Sequence, residues 1–97
     1  MRDLHFEWDE RKSAENLRKH KVSFEEARTV FDDECGLLLA DPDHSADEDR
    51  FVLIGSSSVP RILVVCHCER MEGDVIRIIS ARKTTRKERK QYEEVNR

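Results

Sequence analysis

Three arginines stand where a strand pattern would otherwise stay apolar: Arg61 leads one apolar run, Arg77 sits between Ile76 and Ile78, and Arg82 closes that second run. Successive side chains of a strand point to opposite faces, so an arginine flanked by isoleucines projects from the face they do not use. That face is polar, and guanidinium groups on it suit anionic oxygens. Along residues 61–69 one face carries Arg61, Leu63, Val65, His67 and Glu69, and the other carries Ile62, Val64, Cys66 and Cys68. If the next hairpin pairs His67 with Arg77, then imidazole, guanidinium and carboxylate share one patch; a one-residue slip in register separates them. Such a patch has the groups needed to cleave a phosphodiester without a metal ion. Arginine stabilises charge building on the phosphoryl oxygens, and histidine or glutamate moves protons. RNA is the matching substrate, because its 2'-hydroxyl is an internal nucleophile. Strand arginines that merely pair with acidic neighbours give the same pattern, and residue types alone leave both readings open.

Other residues offer weaker chemistry. His44 lies in the acidic stretch 41–49, where clustered carboxylates favour its protonated form and an acid role, or where it is simply an exposed loop histidine. The same stretch lacks the glycine and the terminal glutamate spacing of a calcium loop. Cys66 and Cys68 face one side of a strand and His67 the other, so they cannot converge on a metal ion and read as small buried hydrophobes. No metal and no cofactor is expected. Lys12, Asn16 and His20 share one helical face that could touch RNA or an inhibitor, although a solvated face explains them equally. In residues 82–90 six positive charges meet one negative, a surface for phosphates or for an acidic partner.

The elements that would carry these residues are marked by caps and periodicity. His5-Phe6-Glu7-Trp8 alternates as a short strand with Phe6 and Trp8 inward. Asp9 is an N-cap for a charged helix over residues 10–19, with Ala14 and Leu17 as its apolar contacts. Ser23-Phe24-Glu25-Glu26 has capping-box spacing, and the second helix that it opens turns Phe24, Ala27, Val30 and Phe31 inward. Residues 36–40 read as a short buried strand. Residues 50–56, 61–69 and 74–81 follow as three strands on short connections, hence antiparallel neighbours. Thr85 and Glu88 repeat the capping box and open a last helix in which Tyr92 and Val95 are nearly the only apolar residues, so it must rest on a partner, a ligand or the sheet through Tyr92. Helices segregated from a small, mostly antiparallel sheet make an α+β fold.

Bulk properties fit this plan. Ninety-seven residues, 37% hydrophobic and 40% charged, allow one domain spanning residues 1–97 with a modest core and a polar shell. The first residues lack the apolar core of a signal peptide, and the longest apolar run, residues 62–66, is far too short to span a bilayer. A soluble cytoplasmic protein with three reduced cysteines is expected. The net charge of −3 hides an asymmetry: residues 1–49 hold 7 Lys/Arg and 15 Asp/Glu, residues 50–97 hold 11 and 6, so the second half can concentrate phosphate ligands.

Taken in order, Phe6-Glu7-Trp8-Asp9 with Lys12 and Asn16, then residues 19–27, Val30-Phe31-Asp32-Asp33, the Asp-rich loop with His44 and Glu48-Asp49-Arg50, and Ile76-Arg77-Ile78-Ile79-Ser80-Ala81-Arg82 resemble the BrnT family of toxins over nearly the whole chain. Glu88 with Tyr92 adds to the resemblance. It implies a RelE-like fold, RNA cleavage that inhibits translation and growth, and neutralisation by a BrnA-like antitoxin. That antitoxin's ribbon-helix-helix part would bring the complex to operator DNA. On this resemblance Arg61, Arg77 and Arg82 are the expected phosphate and transition-state clamps, His44 or His67 the proton-transfer groups, and Glu48, Glu69 and Tyr92 secondary candidates. Arg50, Lys83, Arg86, Lys87 and Lys90 are the expected RNA contacts. The expected reaction is a metal-independent cleavage leaving a 2',3'-cyclic phosphate. The alternatives are a non-catalytic module that binds nucleic acid or antitoxin, and a toxin with a degraded site that serves as an operon co-repressor.

Overall fold

The computed structural model describes residues 4–41 and 50–96. Strand β1 (His5–Glu7) leads into helix α1 (Glu10–His20), whose start is fixed by Asp9: its carboxylate accepts from the backbone N–H of Arg11 at 2.8 Å and of Lys12 at 3.2 Å. The helix ends at Lys21, which adopts a left-handed conformation (φ 60°) and donates its N–H to the Leu17 carbonyl.

The buried face of α1 is not the expected one. Ser13 and Asn16 are buried, whereas Ala14 is exposed and Leu17 is 50% exposed. The reason lies on the last sheet strand, β5 (Val75–Lys83). Strand β1 pairs with β5 only from Val75 to Arg77, so among the described residues the edge of β5 beyond Arg77 has no strand beside it. Asn16 fills that place. Its Nδ2 donates to the Ala81 carbonyl at 2.8 Å, its Oδ1 accepts from the Ala81 N–H at 3.0 Å, and Nδ2 also donates to the Val22 carbonyl at 2.8 Å. A buried peptide group needs a partner more than a leucine needs burial, and this sets the rotation of the helix.

Helix α2 (Phe24–Thr29) begins at Ser23, whose hydroxyl accepts from the Glu26 N–H at 3.0 Å, and a 3₁₀ turn, Val30–Asp32, extends it. Phe24, Ala27 and Val30 are fully buried, and Phe31 packs against the same core, as the apolar spacing predicts. The capping box is only half formed, because the Glu26 side chain is drawn to Arg61 and Ser57.

The sheet runs β1-β5-β4-β3-β2, where β2 is Leu37–Ala40, β3 Arg50–Ser56 and β4 Ile62–Arg70. All neighbours are antiparallel except β1 and β5. Helices α1 and α2 cover one face, over a core of Leu53, Leu63, Val65, Ile76, Ile78 and Ala81 with Val22, Phe24, Ala27 and Val30. The short strand expected at residues 36–40 forms over Leu37–Ala40, but it lies at the sheet edge with Leu38 and Leu39 exposed, not buried. Helix α3 (Arg86–Val95) has the complete Thr85/Glu88 capping box and buries no residue. Among the described residues no helix is long and apolar enough to cross a membrane.

Replacing Asn16 by alanine leaves the Ala81 N–H and C=O and one acceptor at Val22 without their partner. A loss of about 3 kcal/mol is expected from unpaired buried polar groups, read as a lower urea midpoint. Asn16→Asp, which cannot donate to Ala81, should recover little of it. A midpoint unchanged in Asn16→Ala would show that the amide does not hold the helix to the sheet.

Candidate functional site

A groove of about 620 Å³ opens between the β3–β4 turn, the end of β5 and α3, lined by Ser56, Pro60, Arg61, Ile62, Lys83, Thr84, Arg89 and Tyr92. Three cations and a phenol therefore share one concavity: Arg61 comes from the entry to β4, Lys83 from the end of β5, and Arg89 and Tyr92 from α3.

Arg61 enters β4 and is clamped by Glu26 of α2, with Nε to Oε2 at 2.7 Å and a terminal nitrogen to Oε1 at 2.6 Å; that nitrogen also donates to the Lys21 carbonyl at 2.9 Å. The hydrogen bonds from Arg61 hold the Glu26 carboxyl below its ordinary range against burial, and Ser57 adds a bond at 2.7 Å. Tyr92 donates its hydroxyl to Asp33 at 2.6 Å, and that bond, with burial, pushes the phenol pKa up to about 12. Burial of Asp33 favours its neutral form, but the Ser56 N–H, the Tyr92 hydroxyl and the Cys35 N–H outweigh it and hold the carboxyl low. The close approach needs Gly55: a Cβ there would lie 2.9 Å from a Val30 methyl and 3.1 Å from the Asp33 carboxylate. Arg82 forks onto Glu88 at 2.7 and 2.8 Å, and this pairing, together with the Thr85 N–H, lowers the Glu88 pKa to about 2. Arg82 thus ties the sheet to the first turn of α3, and Tyr92 ties the last turns to Asp33. These two contacts hold a helix too polar to stay by burial.

The patch expected around His67 does not form. His67 pairs with Ile78 and Arg77 with Cys68, so imidazole and guanidinium lie on opposite faces of the sheet. The register is set by the connection at Met71–Gly73, where Met71, Glu72 and Gly73 all have positive φ, and it buries His67 beside Ile78. His67 is fully buried between Phe31, edge-on at 4.9 Å, and Phe51, stacked at 6.0 Å; Nε2 is 3.3 Å from Glu69 and Nδ1 3.3 Å from the Val65 carbonyl. Arg77 projects from the far face, 4.0 Å from Glu7, which also receives Arg70 at 3.1 Å. A bulge leaves Ile79 unpaired, since Cys66 faces Ser80 while His67 faces Ile78. This extra residue reverses the alternation and places Arg82 on the same face as Arg77.

Of the expected site residues, Arg61, Lys83 and Tyr92 therefore meet in the groove, and Arg82 braces it through Glu88. Arg50 stands opposite Cys68 on the far face, and Arg86, Lys87 and Lys90 are exposed on α3. His44 and Glu48 lie outside the described residues. Sequence reasoning placed Arg89 only within the basic run, although its spacing of three from Tyr92 puts the two on one helix face. Asp33 entered there only as part of the Val30-Phe31-Asp32-Asp33 segment. Among the described residues no three His, Cys, Asp or Glu side chains stand together so as to hold a metal ion.

Residues 8–88 match the model of the family described as ribonuclease toxin, BrnT, of type II toxin–antitoxin system. Among solved structures, the chain is similar to the ribonuclease toxin BrnT of Brucella abortus, with a TM-score of 0.64 and 21% identity over 86% of this chain and 99% of that one. At that identity the likeness speaks for the fold, which is the same α+β arrangement. No curated protein matches the sequence.

The buried imidazole makes stability depend on pH in a definite direction. Burial lowers the His67 pKa from 6.5 in the folded chain, against the opposing pull of the Val65 carbonyl and Glu69. Below about 6.5 the unfolded chain therefore takes up a proton that the native chain refuses. Its contribution is complete above that pH and is lost as pH falls toward the depressed folded value. Urea midpoints measured from pH 7.5 to 5 should decline in the wild type and decline less in His67→Phe; equal slopes would contradict a neutral buried His67.

Proposed function

The chain belongs to the BrnT family of ribonuclease toxins of type II toxin–antitoxin systems, and we propose that it is a metal-independent endoribonuclease acting in the groove of Arg61, Lys83, Arg89 and Tyr92. The convergence of three cations on one phenol hydrogen-bonded to a carboxylate carries this reading. The RNA 2'-oxygen attacks the adjacent phosphorus, the bond from phosphorus to the 5'-oxygen breaks, and the products are a 2',3'-cyclic phosphate and a 5'-hydroxyl. Arg61, Lys83 and Arg89 lie where they stabilise the charge that grows on the phosphoryl oxygens. The Tyr92 oxygen accepts the 2'-proton as its own proton passes to Asp33, and the leaving 5'-oxygen takes a proton from Lys83 or from water. Arg82 is a positioning residue in this scheme, holding α3 over the groove through Glu88.

The toxin's partner is a cognate antitoxin with a ribbon-helix-helix domain, which neutralises it in the cytoplasm and carries the pair to operator DNA. A second reading, a binding module without catalysis, gains support from the engagement of Arg61 and Arg82 in ion pairs of their own.

Purified protein with a defined RNA in EDTA separates the two. Cleavage is expected to persist in EDTA and to leave cyclic phosphate ends by mass spectrometry. Tyr92→Phe should lower the rate about 100-fold with RNA binding kept, in the range for losing a proton-transfer group. Lys83→Ala, at an exposed site that folding does not need, should lower it by roughly 10- to 100-fold through lost charge stabilisation. Cleavage abolished by EDTA and restored by magnesium overturns the metal-free mechanism. RNA binding without any cleavage leaves the non-catalytic reading.

A further inference from the structure

Helix α1 and the bulged part of β5 enclose a second groove of about 250 Å³, lined by Lys12, Glu15, Asn16, Lys19, His20, Ile79 and Ser80. Lys12, Lys19 and His20 follow at helical spacing along one face, and both lysines are exposed. Among the described residues neither lysine forms an ion pair, and Glu15 is the only acid in the lining. Asn16 lies at the floor but is fully used in holding Ala81 and Val22, so the open donors are the lysines, His20 and the Ser80 hydroxyl.

The linings of the two grooves share no residue, and the link between them is the C-terminal end of α1. Lys21, the cap residue that follows His20, accepts from Arg61 at 2.9 Å through its carbonyl, so the C-terminal end of α1 lies beside the guanidinium of the cleavage groove. From Lys12 to Lys19 the helix rises about 10 Å. A row of cations of that length, with a partly buried imidazole ring and the apolar Ile79 beside it, fits a single strand: lysines for phosphates, ring and isoleucine for an unstacked base.

We propose that the α1 groove holds the single-stranded RNA flanking the scissile bond, with Lys12 and Lys19 on its phosphates and His20 against a base. The proposal rests on the cleavage reading above and deepens it. It makes α1 a determinant of affinity for long substrates and not of the chemical step. A duplex would not present such unstacked bases, and an acidic polypeptide would need only the charges.

The test uses the full chain, with Lys12→Ala/Lys19→Ala compared with the wild type after circular dichroism confirms equal folding. Binding is measured by anisotropy to a 2'-O-methyl oligouridylate of about 12 nucleotides, which lacks the nucleophile and stays intact. The double variant should bind at least tenfold more weakly, and the slope of log K against log salt should become shallower by about 1.4, the value for two phosphate contacts on a single strand. With cleavable RNA of the same length KM should rise while kcat holds, and cleavage of a dinucleotide, too short to reach α1, should not change. Unchanged affinity and salt slope in a variant whose wild type cleaves RNA would overturn the α1 track and leave the cleavage groove standing. Weakened binding to polyglutamate with unchanged RNA binding would overturn it in favour of an acidic partner. Wild-type protein that neither binds nor cleaves RNA would overturn both readings together.

Discussion

The pairing of the Asn16 amide with the Ala81 peptide is the constraint on which the rest of the molecule depends. A side-chain amide presents a donor and an acceptor side by side, as a strand backbone does, and keeps a second N–H for another partner, so it can stand in for the strand that β5 lacks beyond Arg77 among the described residues. The same residue donates to Val22, at the entry to α2, and thereby fixes the first helix, the second helix and the central strands against one another. With α1 rotated to serve Ala81, its lysines and His20 point along the open edge of β5, and its C-terminal carbonyl at Lys21 meets Arg61. The position of both grooves follows from one polar contact that burial makes obligatory.

Carboxylates do the remaining organising. Glu26 orients Arg61, Asp33 receives Tyr92 together with two backbone N–H groups, and Glu88 receives Arg82 together with the Thr85 N–H. Each acid sits on a helix or turn and each partner on another element, so Arg61 and Tyr92 of the groove are pre-oriented by the fold before any anion arrives. This explains how a chain with net charge −3 presents a basic concavity: its acids lie behind the arginine and phenol that they position. Pre-orientation matters for a charge-stabilising site because donors already in place need no reorganisation when charge develops.

Membership of the BrnT family rests on the match over residues 8–88, and the fold agrees with that of the Brucella abortus toxin despite 21% identity. A fold of this kind tolerates wide sequence change where only polarity and volume matter. His67 is packed between two phenyl rings, with Glu69 and the Val65 carbonyl each 3.3 Å from a ring nitrogen.

The sequence by itself determined the elements and their punctuation. Asp9, Ser23 and Thr85 start their helices where expected, because a cap is a contact between residues two or three apart and needs no tertiary information. The α+β class, the three long strands and the outward turn of Arg77 were legible for the same local reason. Only the tertiary structure decided which residues meet. The hairpin connection and the Ile79 bulge shift pairing by single residues, and in a strand a single residue exchanges faces; His67 and Arg77 were parted in this way, and Arg77 and Arg82 joined. The burial of Asn16 in preference to Leu17, the exposure of the edge strand β2 and the union of Arg61, Lys83, Arg89 and Tyr92 depend on contacts between residues far apart in the chain. No local periodicity encodes such contacts, since they are set by which polar groups the assembled sheet leaves to be satisfied.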